Sequence, residues 1–544
     1  MGSFKRFGLI LMTSSACAAL SACGGADSVA SPGAGSVVIV QPQPTPTPSP
    51  TPTPTANITA AKFAAVTPVN NVSITADEQL AIVNAGSNNN VNGTSAGLNG
   101  IYPTSSTSLT TATDPSIING FFTSTNYVGA LNGPSDTAFQ GWTCNSTSAE
   151  FGGSGARCTA VPAIGTYSAA TSVCPTGTID DGTNSSSSPA YRFCRIDNTI
   201  TTTQSVTLPK IAGVVYRLRG QTEVGTDLGS TGGTGVTLTI APGVVIAADS
   251  TEATNDLLLV NRGSKISAVG TRDAPIIFTS QQNLASNGVS DATQGQWGGI
   301  ILLGRAPTAV CATGTGPNNA AGSSTSCQLA IEGVTGRFYG GANTSDSSGQ
   351  MSYVQIRYSG IAISDGNELQ GLTLGGTGSG TVLDHIQSHN SADDGIEIFG
   401  GTSNLKYIAI TGADDDGFDI DNGYRGFMQF LIAAQRTLGA TADSFSTEID
   451  SNNAEDLLPR TFGRYANFTF IQTALAPAAI RLRGGADMTF INGIVKTPSN
   501  VACVNLIAGA GSGADRTTIR GANTDLQDVG PPVFTSVYFS CDGR

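Results

Sequence analysis

From Val214 onward the chain is built of short apolar bursts separated by small polar residues. The segments "GVTLTIAPGVVIAA", "DLLLVNRGSKISAVGT", "APIIFTS", "WGGIILLG", "MSYVQIRYSG" and "LQGLTLGG" are rich in Val, Ile and Leu, with Gly, Asn, Ser and Asp between them. Short runs of this kind, bounded by turn residues, predict strands. No stretch of about 12 residues carries the 3.6-residue apolar period of an amphipathic helix.

The bursts repeat. Val382–Ser403 lies over Asn404–Arg425 without a gap, an offset of 22 residues. Leu383, Ile386, Asp393, Asp394, Gly395, Ile398 and Gly401 recur as Leu405, Ile408, Asp415, Asp416, Gly417, Ile420 and Gly423, and Glu397 recurs as Asp419. The same offset sets "FMQFLIAA", from Phe427, over "LKYIAITG", from Leu405. "NFTFIQ" at Asn467 and "DMTFIN" at Asp487 repeat at 20 residues. One such unit cannot bury its apolar face alone, whereas stacked units share a continuous core. The period predicts a parallel β-helix. A propeller blade needs about 40–50 residues, which the gapless register does not supply.

At these motifs the chain resembles a group of exported bacterial right-handed β-helix proteins, many of them lipoproteins. "PGVVI", "LLLVNRGSKISAVGTRDAPIIFTS", "QWGGIILLGRAPT", "IEGVTGRFYGG", "DDGIEIFGGTSNLKYIAITGADDDGFDIDNGYRG" and "AAIRLRGG" carry the resemblance, over roughly residues 120–540. It implies an all-β chain whose main body is a right-handed parallel β-helix, a single-stranded solenoid. The group has no agreed activity, so the resemblance brings no site residues with it.

The rest of the chain frames that solenoid. Lys5 and Arg6 precede an apolar run to Leu20, the layout of a secretory signal. The end of the run, "LSAC", resembles the lipobox of bacterial lipoproteins, which implies that Cys23 becomes the lipidated, palmitate-bearing first residue. Gly24 in the next position implies sorting to the outer membrane. "QPQPTPTPSPTPTPT", Gln41 to Thr55, is an extended spacer of about 45 Å at about 3.1 Å per residue. The expected divisions are a signal at 1–22, lipidated cysteine and linker at 23–59, a loop-rich capping region at 60–210 and the β-helix at 211–544.

Cys144, Cys158, Cys174, Cys194, Cys311, Cys327, Cys503 and Cys541 remain after Cys17 and Cys23 are set aside. An even number in an exported chain implies disulfides. Their spacing suggests sequential couples, Cys144–Cys158, Cys174–Cys194, Cys311–Cys327 and Cys503–Cys541, two of which staple the N-terminal region. A net charge of −13 without a basic patch excludes nucleic acid as a partner.

The candidate chemistry lies in the repeat. Ile396 and Ile398 are expected to face the core and Glu397 the outside; Phe418 and Ile420 inward, Asp419 and Asp421 outward. Asp393 then stacks with Asp415, Asp394 with Asp416 and Glu397 with Asp419, and Asp443, Glu448 and Asp450 follow one coil on. At about 5 Å and an effective dielectric of about 20, each unscreened pair costs about 3 kcal/mol. Three arrangements relieve such a ladder. A hard cation, Ca²⁺ being the candidate outside the cell, bridges the oxygens of Asp393, Asp394, Glu397, Asp415, Asp416 and Asp419. Carboxylates share protons at raised pKa values. Or the Asp-Asp pairs accept backbone N–H bonds at the tight turns before Gly395 and Gly417.

Catalytic constellations are incomplete. Asp393–Asp394 resembles the aspartate pair of polygalacturonases, but the Gly-His-Gly of that family is absent. His385 and His389 precede the pair on one strand and read as polar surface residues. Pectate lyases combine acidic Ca²⁺ ligands with an arginine base; Arg425, Arg481 and Arg483 are present, without a lyase signature. Two function classes stand: a lipid-anchored binding or structural protein at the cell surface or in the medium, or a polysaccharide-active lyase or glycoside hydrolase. The expected partners are the outer membrane, through the anchor, and a glycan or other envelope component.

Overall fold

The computed structural model describes residues 112–541 except 134–135, 153–155, 185–189, 250–254, 313–326, 365–366, 437–440, 442, 452–456, 474–475, 477, 499–500, 507–521 and 531. The expected signal, Cys23, the expected linker and the first part of the 60–210 region lie outside the described residues.

Two parallel sheets wind about one core, giving the parallel β-helix expected from the repeat. The first, here called the acidic sheet, stacks nine short strands in chain order from Gln221–Val224 to Ala502–Leu506. Its middle is Leu372–Gly375, Ile396–Phe399, Phe418–Asp421 and Thr447–Ile449. The second, longer sheet begins with the antiparallel pair Thr178–Thr183 and Arg192–Ile196 and ends at Tyr538–Ser540. Arg192–Ile196 already pairs in parallel with Val214–Arg217, so the first parallel rung lies upstream of residue 211.

Alternation decides which side chains enter the core. Ile396, Ile398, Phe418 and Ile420 are wholly buried in one continuous apolar cluster with Ile386, Ile408 and Leu431. Each such side chain contributes about 1.5–3 kcal/mol of burial energy.

The long sheet turns a corner within single strands. The first half of Gly349–Arg357 pairs with Lys265–Val269 and the second half with Ile276–Ser280, so one strand continues two. The residue between the halves is Tyr353, with φ +54°. His385, Tyr407, Phe430, Asn467 and Asn492 occupy the same place in the following coils, each with φ between +51° and +61°. Left-handed backbone is costly for a side chain with a Cβ and least costly for Asn. Stacking compensates where aromatics stand: the rings of Tyr353, His385, Tyr407 and Phe430 are 4.2, 4.5 and 4.5 Å apart and nearly parallel.

A segment from Thr113 to Ala160 runs along the outside of this corner rather than across an end. Side-chain amides of the coils hold its backbone as a neighbouring strand would. Gln387 accepts from Cys144 N at 2.7 Å and donates to Cys144 O at 3.0 Å. Gln429 does the same to Thr123 at 2.7 and 2.8 Å, and Asn492 to Thr113 at 2.8 and 2.6 Å. Trp142 places its ring edge-on to His385 at 5.4 Å. Disulfides join Cys144–Cys158, Cys174–Cys194, Cys311–Cys327 and Cys503–Cys541.

Two registers differ from the sequence expectation. Leu405 pairs with Met428, not Phe427, because the corner after Asp421 holds one residue more than the corner before it. Asn467 lies beside Asn492, not Asp487, because the left-handed corner residue, not the local "TFI" similarity, sets the stacking.

Candidate cation site

The outward column of the acidic sheet reads Glu223, Leu259, Ile301, Thr373, Glu397, Asp419, Glu448, Arg481, Asn505, coil by coil. A hairpin, Leu329–Ala330 with Phe338–Tyr339, covers its apolar stretch, Leu259 and Ile301. The hairpin belongs to the excursion between Leu303 and Gly349, and its Ile331 and Tyr339 pack on Leu259 and Ile301. Glu223, before this stretch, is paired with Arg337 of the hairpin, and the clustered acids follow where the apolar cover ends.

The Asp-Asp pairs sit at the corner leading into each acidic strand. Asp394 accepts the backbone N–H of Asp416, one coil on, at 2.8 Å, and Asp416 accepts that of Phe445. These carboxylates therefore cap the following turn rather than their own, each with its Oδ1. The glycine after each pair is required by packing: an added Cβ at Gly395 would meet Ile410 at 2.2 Å and the Gly417 carbonyl at 2.7 Å. Asp415 accepts from Thr441 Oγ1 at 2.7 Å, and Asp393 accepts a long bond, 3.4 Å, from Gln370 Nε2.

Two groups of carboxylates result. Asp393, Asp394 and Asp415 bring one oxygen each within 4.8 Å of one another, as do Asp394, Glu397 and Asp419. Asp394 belongs to both. Glu397 is 7% exposed, and its Oε2 has no hydrogen-bond partner among the described residues. Beside it stands Glu332 of the hairpin, which takes a 2.6 Å bond from Gln370 Nε2. Sequence reasoning missed Glu332, because the hairpin lies in an excursion that does not repeat.

The column changes character one coil further on. Glu448 meets Arg481 at 3.0 Å and Arg483 at 2.9 Å, and Asp450 meets Arg483 at 3.2 Å. Arg481 also reaches Asp443 at 2.8 Å. Positive charge thus balances the later acids, and no arginine or lysine pairs with the two earlier groups among the described residues.

Protonation follows that division. Burial, then the facing Asp415, pushes Asp393 up to about 8. Asp415 rises to about 6 and Asp421 to about 7, both chiefly through burial. Asp394, Glu397, Asp416 and Asp419 lie well above the ordinary carboxylate range, from burial first and neighbouring acids second. Burial and the neighbouring acids thus favour the protonated form of these carboxylates. Carboxylate oxygens packed this closely, one of them orphaned, are a donor set that suits a hard divalent ion such as Ca²⁺.

The remaining candidates are placed elsewhere. His385 and His389 lie in the long sheet, not beside the acids. His385 is sandwiched between tyrosines with Nδ1 2.7 Å from Asp384 Oδ1, and His389 is fully buried with Nδ1 2.9 Å from Thr411 Oγ1. Neither is the polar surface residue that the sequence suggested. Arg425 turns away at the corner after Gly423, where its Nη1 donates to Arg460 O and Gln527 Oε1.

A family model described as a pectate-lyase-like β-helix domain matches residues 200–533. No curated protein and no solved structure matches the chain.

Proposed function

Because the chain belongs to the pectate-lyase-like β-helix domain family, we propose that it is an exported, lipid-anchored binding scaffold of the cell envelope, with a divalent cation, Ca²⁺ in the first instance, seated in its acidic column. The carrying observation is the uncompensated pair of carboxylate groups around Asp394, with Glu397 facing the Glu332 carboxyl and its Oε2 buried without a hydrogen bond among the described residues. Buried carboxylates that face one another without a cationic partner are costly unless protonated or coordinated. The cation here has a structural role: it joins two consecutive coils and leaves the ridged outer surface for binding a glycan or another envelope component.

The family resemblance to pectate lyases also supports a polysaccharide-active enzyme. Against that reading, Asp394 and Glu397 are buried, and the nearest arginines, Arg481 and Arg483, are engaged with Glu448 and Asp450. A screen of the exported chain on acidic glycans, with calcium and with chelator, separates the two. Binding without new chain ends supports the scaffold; release of unsaturated or reducing ends identifies an enzyme. Cys23 is tested by membrane fractionation of cells expressing wild-type chain and Cys23→Ala, which is expected to move to the soluble fraction.

A further inference from the structure

We propose that the cleft around Arg425 is a second binding site of opposite sign, which takes an oxyanion, a carboxylate or phosphate, carried on a small polar ligand. The cleft has a volume of about 220 Å³ and is lined by Thr344, Gly401, Thr402, Gly423, Arg425 and Gln527, among others. It lies at the corner that follows the acidic strands. Gly401 and Gly423 have φ +83° and +88°, and an added Cβ would meet Thr377 O at 2.4 Å and Pro459 O at 2.1 Å. Its walls are therefore close-packed backbone. Among the described residues Arg425 is its only charged lining residue.

Two arginines share one aromatic support there. The Arg464 guanidinium stands 3.6 Å from the centre of the Phe462 ring and that of Arg425 5.6 Å. Arg425 Nη1 is fixed by Arg460 O at 3.0 Å and Gln527 Oε1 at 3.1 Å. Gln527 is itself held with φ +54°, a costly conformation for a residue with a Cβ. The carboxylate whose field reaches Arg425 is Asp487, which is paired with Arg460 at 3.3 Å. Among the described residues no carboxylate forms an ion pair with Arg425 or Arg464. Arg305 and Arg357 also lack an ion pair among the described residues, but backbone carbonyls and Gln355 take up their guanidinium groups; Arg425 instead lines an open cleft, where an external anion would balance it and Arg464. Burial and mutual repulsion weaken the hold of Arg464 on its proton, to about 10, in line with an uncompensated pair. A guanidinium anchored through one nitrogen presents the rest of its fork, the geometry that grips carboxylate or phosphate through two bonds.

The test is calorimetric titration of the exported chain, in low-salt buffer free of phosphate and calcium, with inorganic phosphate, glucuronate and glucose. The expected result is binding of phosphate or glucuronate, the stronger of the two naming the oxyanion, with affinity falling as salt rises and no binding of glucose. Arg425→Gln is expected to lose at least about tenfold in affinity, and Arg425→Lys, which keeps the charge without the fork, to lose less. Should Arg425→Gln fail to fold, Arg425→Lys and the salt dependence still decide. Absence of binding by both anions, glucose binding as well as glucuronate, or unchanged affinity in the Arg425 variants would overturn the proposal. None of these outcomes depends on the cation column.

Discussion

Glu397 of the acidic sheet and Glu332 of the hairpin face each other as neighbouring carboxylates, one from the repeat and one from outside it. Two ionised acids in that position repel. A shared proton or a cation turns the contact into an attachment, so the hairpin is fastened to the coils by whatever satisfies Glu397.

This relationship predicts calcium-dependent protection of the hairpin. In wild-type chain, amide exchange over Ile331–Tyr339 is expected to slow when calcium is added at neutral pH. Glu332→Gln supplies an amide donor to Glu397 in place of the repelling acid. That variant should show slow exchange with or without calcium. Equal exchange in wild type under both conditions would remove the hairpin from the cation's influence.

Glu397→Gln is expected to weaken calcium by at least about tenfold, or about 1.4 kcal/mol. The melting temperature in chelator should stay the same or rise, because a buried ionisable oxygen has been removed. Asp421→Asn, outside both carboxylate groups, is the matched control and should keep the wild-type affinity within about threefold. An unchanged affinity in Glu397→Gln would exclude Glu397 as a ligand.

His389 supplies a separate pH dependence. Burial, with Arg357 and Arg436 nearby, holds it down to about 3. The unfolded chain binds a proton at this residue near the ordinary histidine value of about 6.5, and the native state does not. Its contribution to stability is therefore complete above that value and is lost as pH falls toward 3, by at most about 1.4 kcal/mol per pH unit. The stability difference between wild type and His389→Gln, measured by denaturant titration from pH 7 to pH 4.5, should shrink as pH falls. A difference that is flat or widens toward acid would place a charged histidine in the native state.

The amide contacts of the corner predict how the N-terminal segment is held. Gln387→Ala removes both bonds to Cys144, each worth about 0.5–1.5 kcal/mol. Exchange at Cys144 and its neighbours should accelerate while the core strand Ile396–Phe399 keeps its protection. Acceleration in both would mean that the segment and the coils unfold as one unit.

The solenoid and the acidic ladder are legible in the sequence because both follow from periodicity. Alternation sends Ile396 and Ile398 inward and Glu397 outward, and the 22-residue offset brings Glu397 onto Asp419. Features set by non-repeating contacts are not legible. Glu332 reaches the column from an excursion of unrelated sequence. Tyr353, His385, Tyr407 and Phe430 differ in residue type yet share one left-handed corner, so identity matching does not find them. The same hidden column explains why Asn467 aligns with Asn492 and why His385 is a stacked ring rather than a surface residue. The turn chemistry of "DDG" is legible in part: the aspartates do bond backbone N–H groups, but those of the next coil, which only stacking reveals.

The central claim is that a divalent cation relieves the carboxylates around Asp394, and calcium titration followed by thermal melting tests it most directly. A ligand at about 100 times its dissociation constant stabilises the native state by about 2.7 kcal/mol. Calcium up to the millimolar range is expected to raise the melting temperature of the chain at neutral pH, with release of protons from the column, and Asp394→Asn should abolish the rise. A melting temperature that does not move in wild type at millimolar calcium would contradict the account and leave the column held by protons alone.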